Sequence, residues 1–433
     1  MLSHARRRAL FAVAALPICA PAASGQVCPD PETVTAGLAE PLATVRFLAD
    51  DALQGRRAGS AGERCAADYI AERLRALGLT GAGMDGSFFQ DVPVPAASGQ
   101  NPHAADPHAT ATGRNVLALL EGSAADVRGE IVVVGAHYDH LGLGGAGSLA
   151  PGEDAIHNGA DDNASGVAAL LRAAALLSDG PRPSRSILFI AFTGEEAGLL
   201  GSAFFARSPT VDLDRARAML NLDMVGRLEN DPLIVYGVGT AAEWAHVVEA
   251  EAERAGIDVA LQPDGVGPSD HTSFYMRDIP VLHFFTNTHA DYHKPSDDWE
   301  RVDAPGLERV ARLVAGITRA VAAAPGALTL QRGAGRPAAG PTRGSGAWLG
   351  TVPDFSPVER GVLLGGVTAE SPGARAGMKK GDILIRLGER EIRDLQGFTD
   401  ALSAHQPGDT VDIVVLRGNA AVRLRATLGR RGG

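Results

Sequence analysis

The sequence of 433 residues lacks an excess of positive charge and, after its first 25 residues, any long apolar run. Its 51 acidic and 40 basic residues leave a formal net charge of -11, which argues against nucleic acid or an anionic membrane as the main partner. No later window holds the roughly 18 uninterrupted apolar residues that a membrane-spanning helix needs. We therefore expect no nucleic-acid partner and no membrane span beyond the N-terminal segment.

Residues 1–25 have the three parts of an export signal. Arg6–Arg8 form a basic start, Ala9 to about Ala15 an apolar stretch, and Ala20–Ala22 an Ala-x-Ala cleavage site. The apolar stretch is too short to be a stable anchor, and a buried N-terminal helix is disfavoured by the Pro/Ala-rich tail. We expect export to the periplasm or the extracellular space.

Two other export routes remain open. The pair Arg7-Arg8 fits a twin-arginine signal, and Cys19 could carry a lipid anchor, although the bulky Ile18 makes a poor lipobox.

Cysteine is scarce, with three residues in the whole chain. Signal cleavage would remove Cys19 and leave Cys28 and Cys65, an even pair in an oxidising compartment. We predict a disulfide between them that ties the new N-terminus to the first long helix. Two free, buried thiols are the alternative.

The chain length predicts two domains. A helix is expected over residues 60–79, which begin with a Ser-x-x-Glu capping box, and a polar loop follows it. Apolar runs then alternate with amphipathic helical stretches, which predicts an α/β fold with helices on both faces of a sheet. The expected strands are 115–121, 130–137, 186–192, 218–224, 232–237 and 279–285, and the expected helices lie near 165–177, 197–207, 242–255 and 306–323.

This pattern ends near residue 325. We assign residues 26–325 to the first domain and the Pro/Gly-rich residues 326–345 to a linker. Residues 346–433 then form a small second domain of short strands with one clear helix over 394–405.

Metal-binding residue types follow the predicted strands. They are His137 and Asp139, Asp161 and Asp162, Glu195 and Glu196, Asp223, and His289, His293 and Asp297. Each alone has a structural explanation, such as a helix cap or a hydrogen-bonded histidine. Because ligand sites of open α/β sheets lie at the carboxyl ends of strands, their joint occurrence predicts a metal site.

Histidines together with carboxylates favour zinc over calcium or magnesium. The carboxylates are more numerous than one tetrahedral ion can use, so two Zn²⁺ ions about 3.5–4 Å apart and bridged by a carboxylate account for them better.

Five motifs bring a family into view. In this order and spacing, "AHYDHLG", "NGADDNASG", "FTGEEAGLLGS", "NLDMVG" and "DYHKPSDDW" resemble the secreted di-zinc aminopeptidases, a family that also contains glutaminyl cyclases and glutamate carboxypeptidases. The resemblance covers roughly residues 40–325. It implies a zinc-exopeptidase fold, with a mixed, mostly parallel sheet sandwiched by helices.

The resemblance also implies a ligand set. Asp162 would bridge both ions, His137 and Asp223 would complete one shell, and Glu196 and His293 the other. Glu195 would remain unligated and act as the general base, taking a proton from water and returning it to the leaving amine.

Supporting roles are expected for five further residues. Asp139 is predicted to orient His137, and Asp297 to orient His293. Asp161 is predicted to support its loop. Asp270 and His271 lie in "PSDHTSF", which resembles a family segment that lines the site.

The implied function is hydrolysis of N-terminal residues from peptides with a free N-terminus, by a hydroxide that two zinc ions activate. A glutaminyl-peptide cyclase and a noncatalytic peptide-binding relative are the alternatives. Retention of both His137 and Asp223 argues against the cyclase, which typically uses one zinc.

The C-terminal segment "ESPGARAGMKKGDILIRLGEREI" resembles a PDZ domain of the bacterial protease type. The resemblance implies that a peptide can add as an extra strand, with its C-terminal carboxylate held near the "WLG" loop. Asp354 close to that loop is unfavourable for a carboxylate. A docking module without a free ligand is therefore the alternative.

Overall fold

The structure is a computed structural model that describes residues 28–98, 101–145, 147–150, 155–229, 231–332, 347–354, 358–368, 370–393, 397–398, 401–402, 404–418 and 420–430. The predicted export signal 1–25 and residues 333–345 of the predicted linker lie outside the described residues. So does much of the predicted helix 394–405.

The helices of the described part are α1 (Pro31–Val34), α2 (Leu42–Leu48), α3 (Ala61–Ala76), α4 (Gly166–Ser178), α5 (Leu200–Arg207), α6 (Trp244–Ala255), α7 (His271–Tyr275), α8 (Ala304–Ala323) and α9 (Pro372–Ala376). The strands of the first domain are β1 (Thr80–Gly81), β2 (Phe89–Ser98), β3 (Asn101–Leu120), β4 (Ile131–His137), β5 (Ser186–Phe192), β6 (Ala216–Leu222), β7 (Leu233–Tyr236), β8 (Val259–Leu261) and β9 (Val281–Phe285). Those of the second domain are β10 (Ala347–Trp348), β11 (Thr351–Asp354), β12 (Val362–Val367), β13 (Asp382–Leu387), β14 (Arg390–Glu391), β15 (Thr410–Arg417), β16 (Ala420–Thr427) and β17 (Gly429–Arg430).

The first domain is built on one mixed sheet with the strand order β1-β3-β5-β4-β6-β9-β7-β8, and β2 pairs with β3. Neighbours from β5 to β9 in this order run parallel, whereas β3 and β7 join that centre antiparallel. Every residue of β4 and β5 is buried, as continuous apolar strands between two helical layers require. The predicted α/β class is confirmed.

Helices cover the sheet on both faces. The larger apolar core includes residues of α3, α4, α6 and α8, and the smaller one includes Phe205 of α5 and Phe274 of α7. Complete burial of an aliphatic side chain such as Leu307 or Leu313 on α8 contributes about 1.5–3 kcal/mol. Packing of this kind places the parallel strands in register, with their carboxyl ends at one edge.

The prediction of a polar loop after α3 was wrong for much of its length. Strands β2 and β3 form a long antiparallel hairpin there, with register shifts after Pro95 and Ala97. Proline and small polar residues hide the alternating pattern of this hairpin. Pro93 and Pro95 are tolerated because β2 pairs only with β3 in the described structure.

The second domain has its own apolar core and a sheet in the order β11-β12-β13-β15-β16, with β14 on β13.

The first domain extends further along the chain than the sequence predicts. The backbone N–H of Ala242 donates to Thr329 O at 3.1 Å, and Leu330 forms a β-bridge with Ala241. The first residues of the predicted linker 326–345 are therefore bonded to the first domain, a contact that composition does not reveal.

Cys28 and Cys65 form a disulfide with Cα atoms 5.5 Å apart. The bridge ties the chain ahead of α1 to α3. In the described part of the chain, no helix is both long and apolar enough to cross a bilayer.

Candidate metal centre

The carboxyl ends of the parallel strands bring the five predicted ligands together. His137 is the last residue of β4, Asp223 directly follows β6, and Glu196 lies on the turn after β5. Asp162 belongs to the loop before α4, and His293 follows β9. All five side chains line one cavity of about 220 Å³.

The first cluster consists of His137, Asp162 and Asp223. His137 Nε2 is 3.4 Å from Asp162 Oδ1 and 3.4 Å from Asp223 Oδ1. Two donor atoms each about 2.0–2.1 Å from one tetrahedral zinc ion lie about 3.3 Å apart. The spacing of this cluster therefore fits ligands of a single zinc ion.

The second cluster uses the other oxygen of Asp162. His293 Nε2 is 3.1 Å from Asp162 Oδ2 and 3.3 Å from Glu196 Oε2. Because Oδ1 of Asp162 faces the first cluster and Oδ2 the second, this carboxylate is placed to bridge two ions.

His140 also belongs to the second cluster, although sequence reasoning assigned it no ligand role. Its donor atom and those of Asp162 and Glu196 all lie within 4.8 Å of one another. His140 Nδ1 is 2.8 Å from Glu196 Oε1, but the two atoms do not have the geometry of a hydrogen bond. Two unbonded atoms at this distance fit donors that face a common cation. The signal in the sequence was the short spacing His137-x-Asp139-His140.

The electrostatics of the site also fit bound cations. Burial, and after it the nearby carboxylate of Asp223, raises the pKa of Glu195 well above its ordinary value. Burial likewise raises the pKa of Asp139 to about 8. Ionised carboxylates are costly to bury without a partner charge, and divalent ions would supply it. The mixed nitrogen and oxygen donors are those that zinc accepts.

Glu195 and Glu196 lie on a tight turn between β5 and α5. The N–H groups of Gly198 and Leu199 both donate to Glu195 O, and Gly194 has a φ of 68°, which favours glycine. The Glu195 N–H donates to Asp139 Oδ1 at 3.0 Å. The turn thus fixes the predicted base beside the predicted ligand.

The loop that carries Asp162 is held by its own Asn163 and by Asp297 from a later segment. Asn163 Oδ1 accepts the N–H of Gly166 at 3.0 Å and that of Met224 at 3.1 Å. Asp297 Oδ2 accepts the N–H groups of Asp161 and Asp162 at 3.0 and 3.1 Å. These bonds tie the loop to the end of β6 and to the segment after β9.

The prediction that Asp297 orients His293 was therefore wrong. Asp297 binds the backbone of the Asp162 loop, and His293 Nδ1 instead lies 2.8 Å from Gly147 O. The two residues are close in sequence, but the chain between them directs the carboxylate to a different partner.

Asp139 is further from His137 than predicted. His137 Nδ1 is 3.3 Å from the Asp139 carbonyl oxygen and 3.8 Å from its Oδ1, because that carboxylate accepts the Glu195 N–H. Asp161 supports its surroundings as expected, since its Oδ1 accepts the Gly226 N–H at 2.7 Å.

Asp270 and His271 separate in the structure. His271 lines the cavity and stacks on His283 with ring centroids 4.4 Å apart. Asp270 is fully buried and is not among the lining residues, so the expectation that it lines the site was wrong. As the residue directly before α7, it lies behind the cavity wall that His271 forms.

Arg56 is a positioning residue that the sequence did not reveal. Its buried guanidinium donates to the backbone oxygens of Tyr138 at 2.8 Å, Asn158 at 2.7 Å and Gly159 at 3.0 Å. It also donates to Leu48 O. These bonds join the segment after β4 to the loop that carries Asp162, and so connect two ligand-bearing segments.

Residues 115–318 match the sequence model of Peptidase family M28. The larger domain belongs to this family. Residues 353–428 match the PDZ domain, so a PDZ domain follows the M28 domain.

Two curated relatives are similar over part of their length. The chain is 31% identical to aminopeptidase YwaD of Bacillus subtilis (strain 168) over 195 residues, which covers 43% of this chain and 40% of that protein. It is 27% identical to leupeptin-inactivating enzyme 1 of Streptomyces exfoliatus over 305 residues, covering 68% and 60%. The chain thus spans about half the length of these relatives.

Two solved structures share the fold at 20% sequence identity. An aminopeptidase from Aneurinibacillus sp. strain AM-1 superposes with a TM-score of 0.51, covering 70% of this chain and 98% of that one. A glutaminyl cyclase from Porphyromonas gingivalis superposes with a TM-score of 0.52, covering 64% and 96%.

Proposed function

We propose that this protein is an exported, zinc-dependent aminopeptidase that removes N-terminal residues from peptides and holds two zinc ions per chain. The observation that carries the proposal is the pair of clusters that share Asp162, with Glu195 on the turn beside Glu196. The M28 match and the aminopeptidase among the relatives support the reaction class.

The proposed ligand set divides between the two oxygens of Asp162. His137 and Asp223 would hold one ion, and Glu196 and His293 the other, with His140 next to Glu196. Zinc bound there supplies Lewis-acid polarisation of the scissile carbonyl and makes a water molecule more acidic.

Glu195 would move the proton in the reaction. Its backbone is held by the bond to Asp139, and its side chain keeps part of its surface open to the cavity. The carboxylate would take the proton of the attacking water and return it to the nitrogen of the leaving peptide. A general base or acid of this kind contributes about 10²–10⁴-fold to the rate.

Asp223 is further fixed by a neighbour. Ser269 Oγ donates to its Oδ2 at 2.7 Å and accepts from Asn221 Nδ2 at 2.8 Å. This chain of bonds leaves Oδ1 of Asp223 directed at His137. The arrangement favours a complete first cluster, and hence two ions.

Glutaminyl cyclisation is the second candidate reaction, because a glutaminyl cyclase shares the fold. The presence of both complete clusters favours hydrolysis. A noncatalytic peptide-binding protein would show no zinc-dependent activity. It would also not need a carboxylate such as Glu195 beside the two clusters.

One panel of substrates tests the proposal. Aminoacyl-anilides, N-acetylated controls and a peptide with N-terminal glutamine are assayed beside metal analysis of the purified protein. We expect anilide hydrolysis that chelation abolishes and zinc restores, with no turnover of the blocked substrates. Ammonia release from the glutaminyl peptide alone would favour the cyclase, and inertness towards every substrate would favour the binding protein.

Export belongs to the same proposal. The residue pattern of 1–25 and the Cys28–Cys65 bridge support an oxidising compartment. N-terminal sequencing of the protein from cell fractions tests this part separately.

A further inference from the structure

The cavity that holds the candidate metal ligands is lined by both domains. From the M28 domain it takes the ligands together with residues such as Tyr236, Phe285 and Tyr292. The PDZ domain adds Pro353, Val358, Gly361, Val362, Leu363 and Arg393. The PDZ domain is therefore part of the wall of the candidate active site.

A direct bond holds the two domains together at this wall. The Thr288 hydroxyl of the M28 domain donates to the Pro353 carbonyl oxygen at 3.0 Å. Pro353 lies on β11, which is the edge strand of its sheet. A peptide that adds to a PDZ sheet would need such an edge. Because Thr288 and Pro353 both line the cavity, this part of β11 lies at the cavity wall.

Charge is distributed unevenly around the cavity. Asp162, Glu195, Glu196 and Asp223 line the M28 part, whereas Arg393 is the one lysine or arginine among the described lining residues. Its side chain is 77% exposed, and Nη2 lies 3.2 Å from Glu391 Oε2. An exposed ion pair of this kind is weak and can be exchanged for another carboxylate.

A short peptide has complementary charges. In the proposed reaction its N-terminal residue lies at the metal ligands, and the rest of the chain extends away from them. A guanidinium binds a carboxylate through two parallel hydrogen bonds. The C-terminal carboxylate is the group of a short peptide that an arginine on the cavity wall can recognise.

We infer that the PDZ domain completes the substrate-binding site, with Arg393 binding the C-terminal carboxylate of short peptide substrates. The enzyme then prefers short peptides with a free C-terminus. This inference rests on the proposed aminopeptidase function and adds a substrate class to it.

The test compares free acids with amides. The kcat/KM values of the intact zinc-loaded protein are measured for Leu-Gly, Leu-Gly-Gly and Leu-Gly-Gly-Gly, and for the C-terminal amide of each. We expect the free acid of at least one length to be favoured about tenfold, mainly through KM. Arg393→Gln abolishes that preference. The matched variant Arg390→Gln, an exposed arginine on the adjacent β14 outside the cavity lining, retains it.

Three results would overturn the inference. They are equal kcat/KM for acid and amide at every length, a preference that survives in Arg393→Gln, and an equal loss towards acids and amides in that variant. A further peptide, Leu-Gly-Asp amide, carries only a side-chain carboxylate. If Arg393→Gln affects this peptide and not the free acids, a side chain is the partner and the C-terminal assignment fails.

Failure of the proposed function is distinguishable from these results. A protein that hydrolyses neither peptides nor aminoacyl-anilides contradicts the aminopeptidase proposal itself. A protein that hydrolyses anilides but does not distinguish acids from amides contradicts only the role of Arg393.

Discussion

Glu195 and Glu196 are adjacent in the sequence but differ in their surroundings. Burial alone would raise the pKa of Glu196, but His293 and His140 lower it to about 2. For Glu195, burial and the neighbouring carboxylates raise the pKa well above its ordinary value. The structure therefore separates a carboxylate whose pKa is lowered by histidines from one whose pKa is raised by burial and neighbouring acids.

This difference predicts distinct effects for substitutions at the two positions. Glu195→Gln should lower kcat by about 10²–10⁴-fold and keep its zinc, because only proton transfer is lost. Glu196→Ala should lose zinc as well as activity. Steady-state kinetics on an aminoacyl-anilide and elemental analysis of the same samples provide the measurements.

Glu300 is exposed, so the variant Glu300→Gln serves as the control and should match the wild type in kcat and in zinc content. Equal zinc contents in Glu195→Gln and Glu196→Ala would contradict the assigned roles.

The role of Arg56 can likewise be tested by substituting a single residue. Arg56→Met would leave the backbone oxygens of Tyr138, Asn158 and Gly159 buried without these donors. We expect a loss of at least about 3 kcal/mol in the free energy of unfolding. Because Tyr138 directly follows the ligand His137 and Gly159 directly precedes the loop that carries Asp162, zinc affinity should fall about 10–100-fold.

Urea unfolding and competitive zinc titration measure the two effects of this substitution. Arg64→Met removes an exposed guanidinium that donates to Gly59 O, and it should change neither quantity. If Arg56→Met binds zinc as tightly as the wild type, Arg56 does not position the ligands.

At the scale of elements, Glu130 joins the starts of three strands at the sheet edge away from the site. It accepts from Arg217 Nη2 at 2.6 Å and from Arg185 Nε at 2.6 Å. Hydrogen bonds from Arg217 and then Arg185 lower its pKa to about 2 from the ordinary 4.5. A lowered carboxyl pKa stabilises the fold above pH 4.5, and the contribution is lost as pH falls towards 2.

Glu130→Gln should accordingly destabilise the protein by about 2 kcal/mol at pH 7. The difference from the wild type should shrink as the pH falls below 4.5, since protonation removes the same charge. Urea unfolding at pH 7, 4.5 and 3.5 checks this, with the exposed Glu121→Gln as the control. A difference that stays constant across this pH range would contradict the mechanism.

The elements of the first domain were largely predictable. Continuous apolar strands and amphipathic helices are local patterns, and five of the six predicted strands and the helices between them are present within a few residues. The sixth, predicted at 115–121, is the last part of the longer strand β3. The convergence of His137, Asp162, Glu196, Asp223 and His293 was predictable because parallel strands present their ends at one edge. Their binding of zinc stays a prediction.

What the sequence did not reveal depends on tertiary contacts. The hairpin β2–β3 lacks a clear alternating pattern, and the partner of Asp297 depends on how a later loop packs against the Asp162 loop. Arg393 lies in another domain, and only the packing of the domains places it on the cavity wall. The spacing of residues along the sequence does not indicate these tertiary contacts.

At the scale of the whole molecule, the Cys28–Cys65 bridge closes a loop with a sequence separation of 37 residues. A loop of this size restricts the unfolded chain, which stabilises the folded state by about 3–4 kcal/mol. Cys28→Ser should therefore lower the free energy of unfolding by about that amount. Treatment with dithiothreitol should lower the stability of the wild type similarly and leave the variant unaffected. Equal stability of the oxidised wild type and the variant would contradict this expectation.

The strand order makes the second cluster depend on a late part of the first domain's sequence. His293 follows β9, which comes last in the chain among the strands of the large sheet and lies between β6 and β7. Until β9 has paired, the second cluster lacks a histidine that comes from a distant part of the chain. A chain cut short before β9 would therefore keep the residues of the first cluster, His137, Asp162 and Asp223, but lose His293 from the second.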